Sequence, residues 1–362
     1  VRPAHPRDGA PGYEAHGELY RGAGGVLWAL RHLHALGATR PRIDSAMVDR
    51  ALQRHHEWQV SFGGTEFASY LIGDTALLLL AYDLEPTEAR ADRIEELIRG
   101  NMHHPARELM WGAPGTLLAA LFLARHTHDP RWPELFRGTA RALASELRWS
   151  HEHACHYWTQ DLHGQRGTFL GAVHGFVGAA AAIVRGHDLL AKDDWSEWKR
   201  CIETTVARTA AVEGEGANWR AHLLEGSGTP AAMRMQFCHG APGFVICLAA
   251  LPDRALDRLL LAGGEAIWQA GPLTKGANLC HGTGGNGYAF LKLFRRSGDV
   301  RWLTRARAFA MHGIEQCERD AARFGQMHAS LWTGDLGFAI YLWNCVVAGD
   351  DFPSLDVFFA PR

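Results

Sequence analysis

The sequence predicts an all-α protein, an α/α toroid in which a ring of about seven inner helices is wrapped by six to seven outer helices. Three observations lead there. A Gly-x-x-Gly or Gly-x-x-Ala step followed by small and apolar residues recurs at Gly22, Gly73, Gly112, Gly175, Gly240, Gly282 and Gly334. Charged segments with one apolar face fill the intervals between copies. Runs that alternate β-branched with polar residues, the mark of half-buried strands, are almost absent.

In order, the copies read RGAGGVLWAL, IGDTALLLLA, WGAPGTLLAA, HGFVGAAAAI, HGAPGFVICL, HGTGGNGYAF and TGDLGFAIYL. Each runs from glycine into a stretch with no polar face, as expected of a buried helix entered through a tight turn. The most apolar window, FLGAVHGFVGAAAAIV at 169–184, is read as such a helix, because it is too short to span a bilayer and carries a histidine in mid-run. Between the copies, RIDSAMVDRALQRHHEW from 42, ADRIEELIRG from 91, DWSEWKRCIETTVARTA from 194 and RWLTRARAFAMHGIEQCERD from 301 read as half-exposed outer helices. Glycine tolerates positive φ and lets backbone come close, and helix N-termini carry free N–H groups. The seven turns should therefore gather at one end of the ring.

A chain of 362 residues with 47% apolar and 21% charged side chains can build one large core, so residues 1–362 are read as a single domain, irregular over 1–16. The formal net charge of −2 and the lack of a long basic run argue against nucleic acid or anionic lipid as a primary partner. Seven cysteines, an odd number scattered along the chain, do not form the framework of a small disulfide-rich domain. A reducing, cytoplasmic setting and a monomer are expected. No signal peptide is recognisable, and Val1 with its Pro- and His-rich sequel fits an alternative start codon or a trimmed chain.

The triplet Cys-His-Gly occurs twice, in QFCHGAPGF at 236–244 and in LCHGTGGNGYAFL at 279–291, each time at a glycine turn. Cys238, Cys280 and His281 offer two thiolates and an imidazole, a set suited to zinc. Three protein ligands leave a position for water or substrate, which points to about one catalytic zinc per chain. A fourth ligand from His239 would make the site structural instead, and buried cysteines without metal are the remaining reading.

These two stretches resemble the zinc motifs of the LanC-like family, the lanthionine cyclases and their eukaryotic glutathione-binding relatives. The resemblance runs from about Gly17 to Asn344, takes in FLGAVHGFVG from 169 and IWQAGPLTKGANLCHG from 267, and is nearer the eukaryotic-type branch. It implies an α/α toroid with zinc at the barrel mouth, held by Cys238, Cys280 and His281. It also implies an acid/base role for His174, an active-site arginine at Arg234, and Glu108 where the cyclases have aspartate. Lys275 matches a lysine linked with glutathione binding. His239 stands where the cyclases usually have tyrosine and is a second candidate proton donor. Relative to the family, the first outer helix is expected to be missing, since the residues before Gly22 are rich in Pro, Gly and His.

The chemistry that follows is addition of a thiol, from glutathione or a peptide cysteine, to dehydroalanine or dehydrobutyrine, giving a thioether. Zinc would hold the sulfur as a thiolate, Arg234 or Lys275 would stabilise the enolate, and His174 or His239 would protonate the α-carbon. The partner is then a peptide or protein containing a dehydroamino acid. A zinc- and glutathione-binding adaptor without catalysis is the alternative. A glycosidase, the other habit of such toroids, has carboxylates in Glu108, Asp74 and Asp335 but no use for two Cys-His pairs.

Overall fold

The computed structural model describes residues 5–7, 16–61, 68–223 and 233–360. Seven helices follow the seven glycine turns: α1 (Ala23–Ala35), α3 (Thr75–Leu84), α5 (Ala113–His126), α7 (Phe176–Arg185), α9 (Ala241–Leu248), α11 (Thr283–Ser297) and α13 (Asp335–Val347). Each packs against the next, and α13 returns to α1, so the ring closes. Outside it lie α2 (Ser45–Ser61), α4 (Glu88–Asn101), α6 (Arg131–Ser145), α8 (Lys192–Thr209), α10 (Asp257–Ala270) and α12 (Val300–Phe324). Among the described residues the outer ring therefore has six members, and no helix precedes α1. Residues 5–7 form a turn packed at the end of α12, where Arg7 pairs with Asp320 at 2.8 Å. The rest of the stretch expected to be irregular, apart from His16, lies outside the described residues.

Burial follows the sequence pattern. Every residue of α7 and α9 is buried, whereas α12 buries a single face through Trp302, Leu303, Ala306, Phe309, Ala310 and Gly313. The window at 169–184 is not one helix. Its first part is the turn that carries His174, and the helix starts at Phe176.

The glycines act mainly by close approach. Of the seven turn glycines only Gly240 has positive φ, at 108°. The second glycine of the step is the more constrained, because a Cβ on Gly243 or Gly285 would overlap the carbonyl oxygen of Phe237 or Leu279 in the preceding turn. The chain doubles back so tightly that only a hydrogen fits there.

Among the described residues three short antiparallel hairpins, unseen in the sequence pattern, lie between helices: β1 (Arg148–Ser150) with β2 (Cys155–Tyr157), β3 (Gln160–Leu162) with β4 (Gln165–Gly167), and β5 (Ala210–Glu213) with β6 (Gly216–Trp219). Strands this short cannot show a period.

The C-terminal segment fills the ring. Phe352, Leu355 and Phe358 are buried, Phe352 stacks on Phe237 at 4.9 Å, and Trp28 Nε1 donates to the Phe358 carbonyl at 2.8 Å. Asp356 pairs with Arg185 of α7 at 2.6 Å and Lys292 of α11 at 2.8 Å. Burial opposes the charge on Asp356, but the two cations outweigh it and lower its pKa.

Candidate metal centre and active site

The turns are stitched to one another by a belt of backbone hydrogen bonds. Cys238 N donates to Cys280 O at 3.2 Å, Cys280 N to Trp332 O at 3.0 Å, Trp332 N to Tyr20 O at 3.0 Å, and Tyr20 N to Leu71 O at 2.9 Å. All five residues stand two places before their turn glycine. Two cysteines far apart in sequence thus become neighbours because they occupy equivalent positions in adjacent repeats. The expectation that the turns gather at one end holds for this arc, and Leu109 N to Val173 O at 3.1 Å also joins the turns before α5 and α7, with Leu109 one place earlier in its turn than the belt residues.

At this junction one donor atom from each of Cys238, Cys280 and His281 lies within 4.8 Å of the other two. Both cysteines are buried and His281 is half-buried. Asn278 Oδ1 accepts from His281 N at 2.9 Å and fixes the turn that carries the imidazole. Tetrahedral zinc, with bonds of about 2.3 Å to sulfur and about 2.0–2.1 Å to nitrogen, sets such donors roughly 3.5–3.8 Å apart. A small closing of the side chains meets that requirement, so the residues fit the ion. His239 is not part of the donor group; its ring lies 6.4 Å from that of His174 and 6.2 Å from that of Phe169.

The electrostatics suit a cation. A hydrogen bond from Cys280 holds the Cys238 thiol below the usual thiol range against the effect of burial, with His281 assisting. Burial and the charge on Cys238 in turn push Cys280 up. The first thiolate thus opposes a second, and ionising both requires further positive charge at the same place.

Beside the donor set, His174 Nδ1 lies 3.0 Å from Glu108 Oε2. Glu108 is fully buried, and its oxygens accept from Met110 N at 3.0 Å and Trp111 N at 2.6 Å. It is a fixed carboxylate that orients the imidazole and does not itself reach the mouth. The longer arm of glutamate spans the gap. Burial disfavours a charged His174, but the hydrogen bond and charge of Glu108, aided by Cys238, prevail and raise its pKa. His239 goes the opposite way: burial lowers it, and His174, Arg234 and His222 add to the effect against Cys238.

Arg234 is exposed beside His239, and its carbonyl accepts from Asn218 Nδ2 at 3.2 Å. Lys275 Nζ donates to Gln236 Oε1 at 3.3 Å, and Gln236 Nε2 donates to Cys238 Sγ at 2.9 Å. The other carboxylates named from the sequence are engaged locally: Asp74 accepts from Gln59 at 3.1 Å, and Asp335 caps His328 N at 2.9 Å. Neither joins Glu108 as a facing pair for sugar hydrolysis.

Two neighbours of the sulfurs were not foreseen. Gln236 is one, and Tyr20 is the other, its hydroxyl close enough to the Cys280 sulfur to favour that thiol's ionisation. Aligning the seven turns on their glycines would have found Tyr20, since it shares the belt position of the two cysteines. Phe169 and His222, with rings 4.1 Å apart, form an aromatic flank next to His174.

Comparison with known proteins identifies the family and the fold. The family profile of the lanthionine synthetase C-like protein matches residues 13–357. "LanC-like protein GCL1" of Arabidopsis thaliana is 30% identical over 266 residues, 69% of this chain and 58% of that protein, so the match takes in little more than half of the plant relative. "Glutathione S-transferase LANCL1" of Danio rerio is 24% identical over 374 aligned residues, covering 93% of this chain and 84% of that one. The structure of "Nisin cyclase" superposes with a TM-score of 0.67 at 16% identity, over 93% of this chain and 91% of the other, and so shares the fold. The chain belongs to the lanthionine synthetase C-like family.

Proposed function

We propose that this chain joins a thiol to the β-carbon of a dehydroalanine or dehydrobutyrine residue in a peptide or protein, forming a thioether. The observation that carries the reading is the meeting, on neighbouring turns, of a two-sulfur, one-imidazole donor set with an imidazole whose other nitrogen is fixed by a buried carboxylate. Zinc held by Cys238, Cys280 and His281 would keep the incoming thiol ionised at neutral pH.

The chain's own groups account for the rest. As the C–S bond forms, the alkene electrons move onto the neighbouring carbonyl oxygen to give an enolate. Arg234, and Lys275 if it swings from Gln236, offer positive charge to that oxygen. Protonation of the α-carbon completes the addition, and no electrons are gained or lost overall. His174 is the better donor. Glu108 raises its pKa and binds Nδ1, leaving Nε2–H to be delivered, whereas His239 is held neutral.

Glutathione is favoured as the thiol by the name of the Danio rerio relative and by Lys275, a movable cation suited to a free carboxylate. Seven cysteines without a disulfide fit a reducing compartment. No helix among the described residues is long and apolar enough to cross a membrane.

The test is mass spectrometry of a dehydroalanine peptide incubated with the zinc-loaded protein and either glutathione or cysteamine. A product heavier by one thiol, formed faster with glutathione and slowed in Lys275→Ala, is expected. Equal rates with both thiols, with rapid ring closure in a peptide that also holds cysteine, would make it a cyclase. Glutathione binding without product would leave the adaptor.

A further inference from the structure

We propose that Gln236 is a positioning residue that links Lys275 to the Cys238 thiolate, so that capture of a carboxylate by Lys275 is felt at the metal-binding sulfur. The coupling to a carboxylate rests on the glutathione reading above; the link itself does not.

The geometry is a chain of two hydrogen bonds, Lys275 Nζ to Gln236 Oε1 at 3.3 Å and Gln236 Nε2 to Cys238 Sγ at 2.9 Å. Its direction is fixed by chemistry. An ammonium can only donate and a thiolate can only accept, so the amide has one workable orientation: oxygen toward lysine, nitrogen toward sulfur. The reverse would set two donors against each other and an oxygen against an anion. The backbone permits little drift, because Gln236 N donates to His239 O and His239 N to Gln236 O, each at 3.1 Å, and the residue is buried. Lys275, by contrast, is exposed. One end of the chain is held rigid under the belt and the other meets solvent where a substrate arrives.

Hydrogen bonds in series polarise one another. The lysine charge on the amide oxygen makes the amide N–H a stronger donor, which draws electron density from the Cys238 sulfur. A carboxylate that takes the ammonium away weakens that donation and leaves the sulfur more electron-rich. Partners behind metal ligands are commonly worth about 10- to 100-fold in affinity. A leucine at 236 removes both bonds while keeping comparable bulk.

The experiment measures zinc affinity by chelator competition and, in the cobalt-substituted protein, the sulfur-to-cobalt charge-transfer band. Gln236→Leu should weaken zinc about 10-fold and move the band to lower energy. Lys275→Met, an exposed substitution that leaves the core untouched, should move both in the same direction by less. The double variant should match Gln236→Leu alone. Additive effects, or no change in Lys275→Met, would overturn the link. S-methylglutathione, which has no free thiol, should shift the parent's band as Lys275→Met does and leave the variant's band still. A link that passes the variant series with a band indifferent to S-methylglutathione would remove the carboxylate coupling and the assignment of glutathione to Lys275, while the thioether assay stands apart.

Discussion

The turns leading into α11 and α13 are built alike, yet only one presents candidate metal ligands. Asn278-Leu279-Cys280-His281-Gly282 and Ser330-Leu331-Trp332-Thr333-Gly334 both begin with a buried polar residue that bonds within its turn, followed by a fully buried leucine. Both pass their central N–H to the next turn in the belt. They part at the central side chain. Trp332 joins the aromatic filling of the ring beside Phe237 and Phe352, and its Nε1 reaches Ser354 Oγ at 3.2 Å. Cys280, too short for that, stays at the belt beside Cys238. The backbone is thus a general frame, and in these two turns the first and second positions before the glycine make the difference.

The largest effect should separate these two turns directly. Cys280→Ala removes a ligand and should lower zinc affinity by about 10³-fold or more. Trp332→Leu should cost about 2–4 kcal/mol of stability through lost packing and yet keep zinc below its melting temperature. Chelator competition beside thermal melts checks both, and equal metal loss in the two variants would break the comparison.

A second contrast lies between His174 and His239, with their opposite pKa shifts. His174→Asn should retain zinc and lose about 10²- to 10⁴-fold in kcat, the usual worth of a positioned acid. His239→Asn should lose far less, and the reverse order would exchange their roles. Glu108→Gln sharpens the point. The carboxylate keeps His174 protonated to higher pH, so its neutralisation lets the pKa fall and the alkaline loss of activity should begin at lower pH, with kcat at neutral pH down about 10-fold.

A third contrast compares two glutamates at the same place in different turns. Glu108 in ELMWG meets His174, whereas Glu18 in ELYRG is buried with its carboxyl raised from the usual 4.5 to about 7, because burial outweighs Arg21. A carboxyl with a raised folded-state pKa contributes fully below its unfolded value and loses that contribution as pH rises through the folded one. Parent stability relative to Glu18→Gln should therefore fall by about 2–3 kcal/mol between pH 4.5 and about 7 and then level off. A flat difference from urea melts over this range would show that Glu18 carries no such cost.

Much of this frame was legible because the repeat writes itself in glycine, whose need here is steric and leaves a mark wherever chain meets chain. The two Cys-His-Gly triplets were legible for the same reason, since equal places in neighbouring repeats imply equal places in space. Tyr20 and Gln236 were not, being ordinary residue types that acquire meaning only from what the next turn places against them. Glu108 was named but its task was not, as a carboxylate that orients differs from one that reacts only in what surrounds it. Nothing local marks Asp356 as the buried partner of Arg185 and Lys292. That pairing depends on the end of the chain returning through the ring.

The central claim, thioether formation at the Cys238, Cys280 and His281 cluster, is tested most directly by stepwise removal of zinc with a chelator while thioether formation on a dehydroalanine peptide is followed by mass spectrometry. The initial rate should fall in proportion to bound zinc, from about one equivalent per chain to the rate seen without protein, and Cys280→Ala should lie at that floor throughout. A rate that persists after zinc is gone, or a fully loaded protein no faster than the uncatalysed reaction, would contradict it.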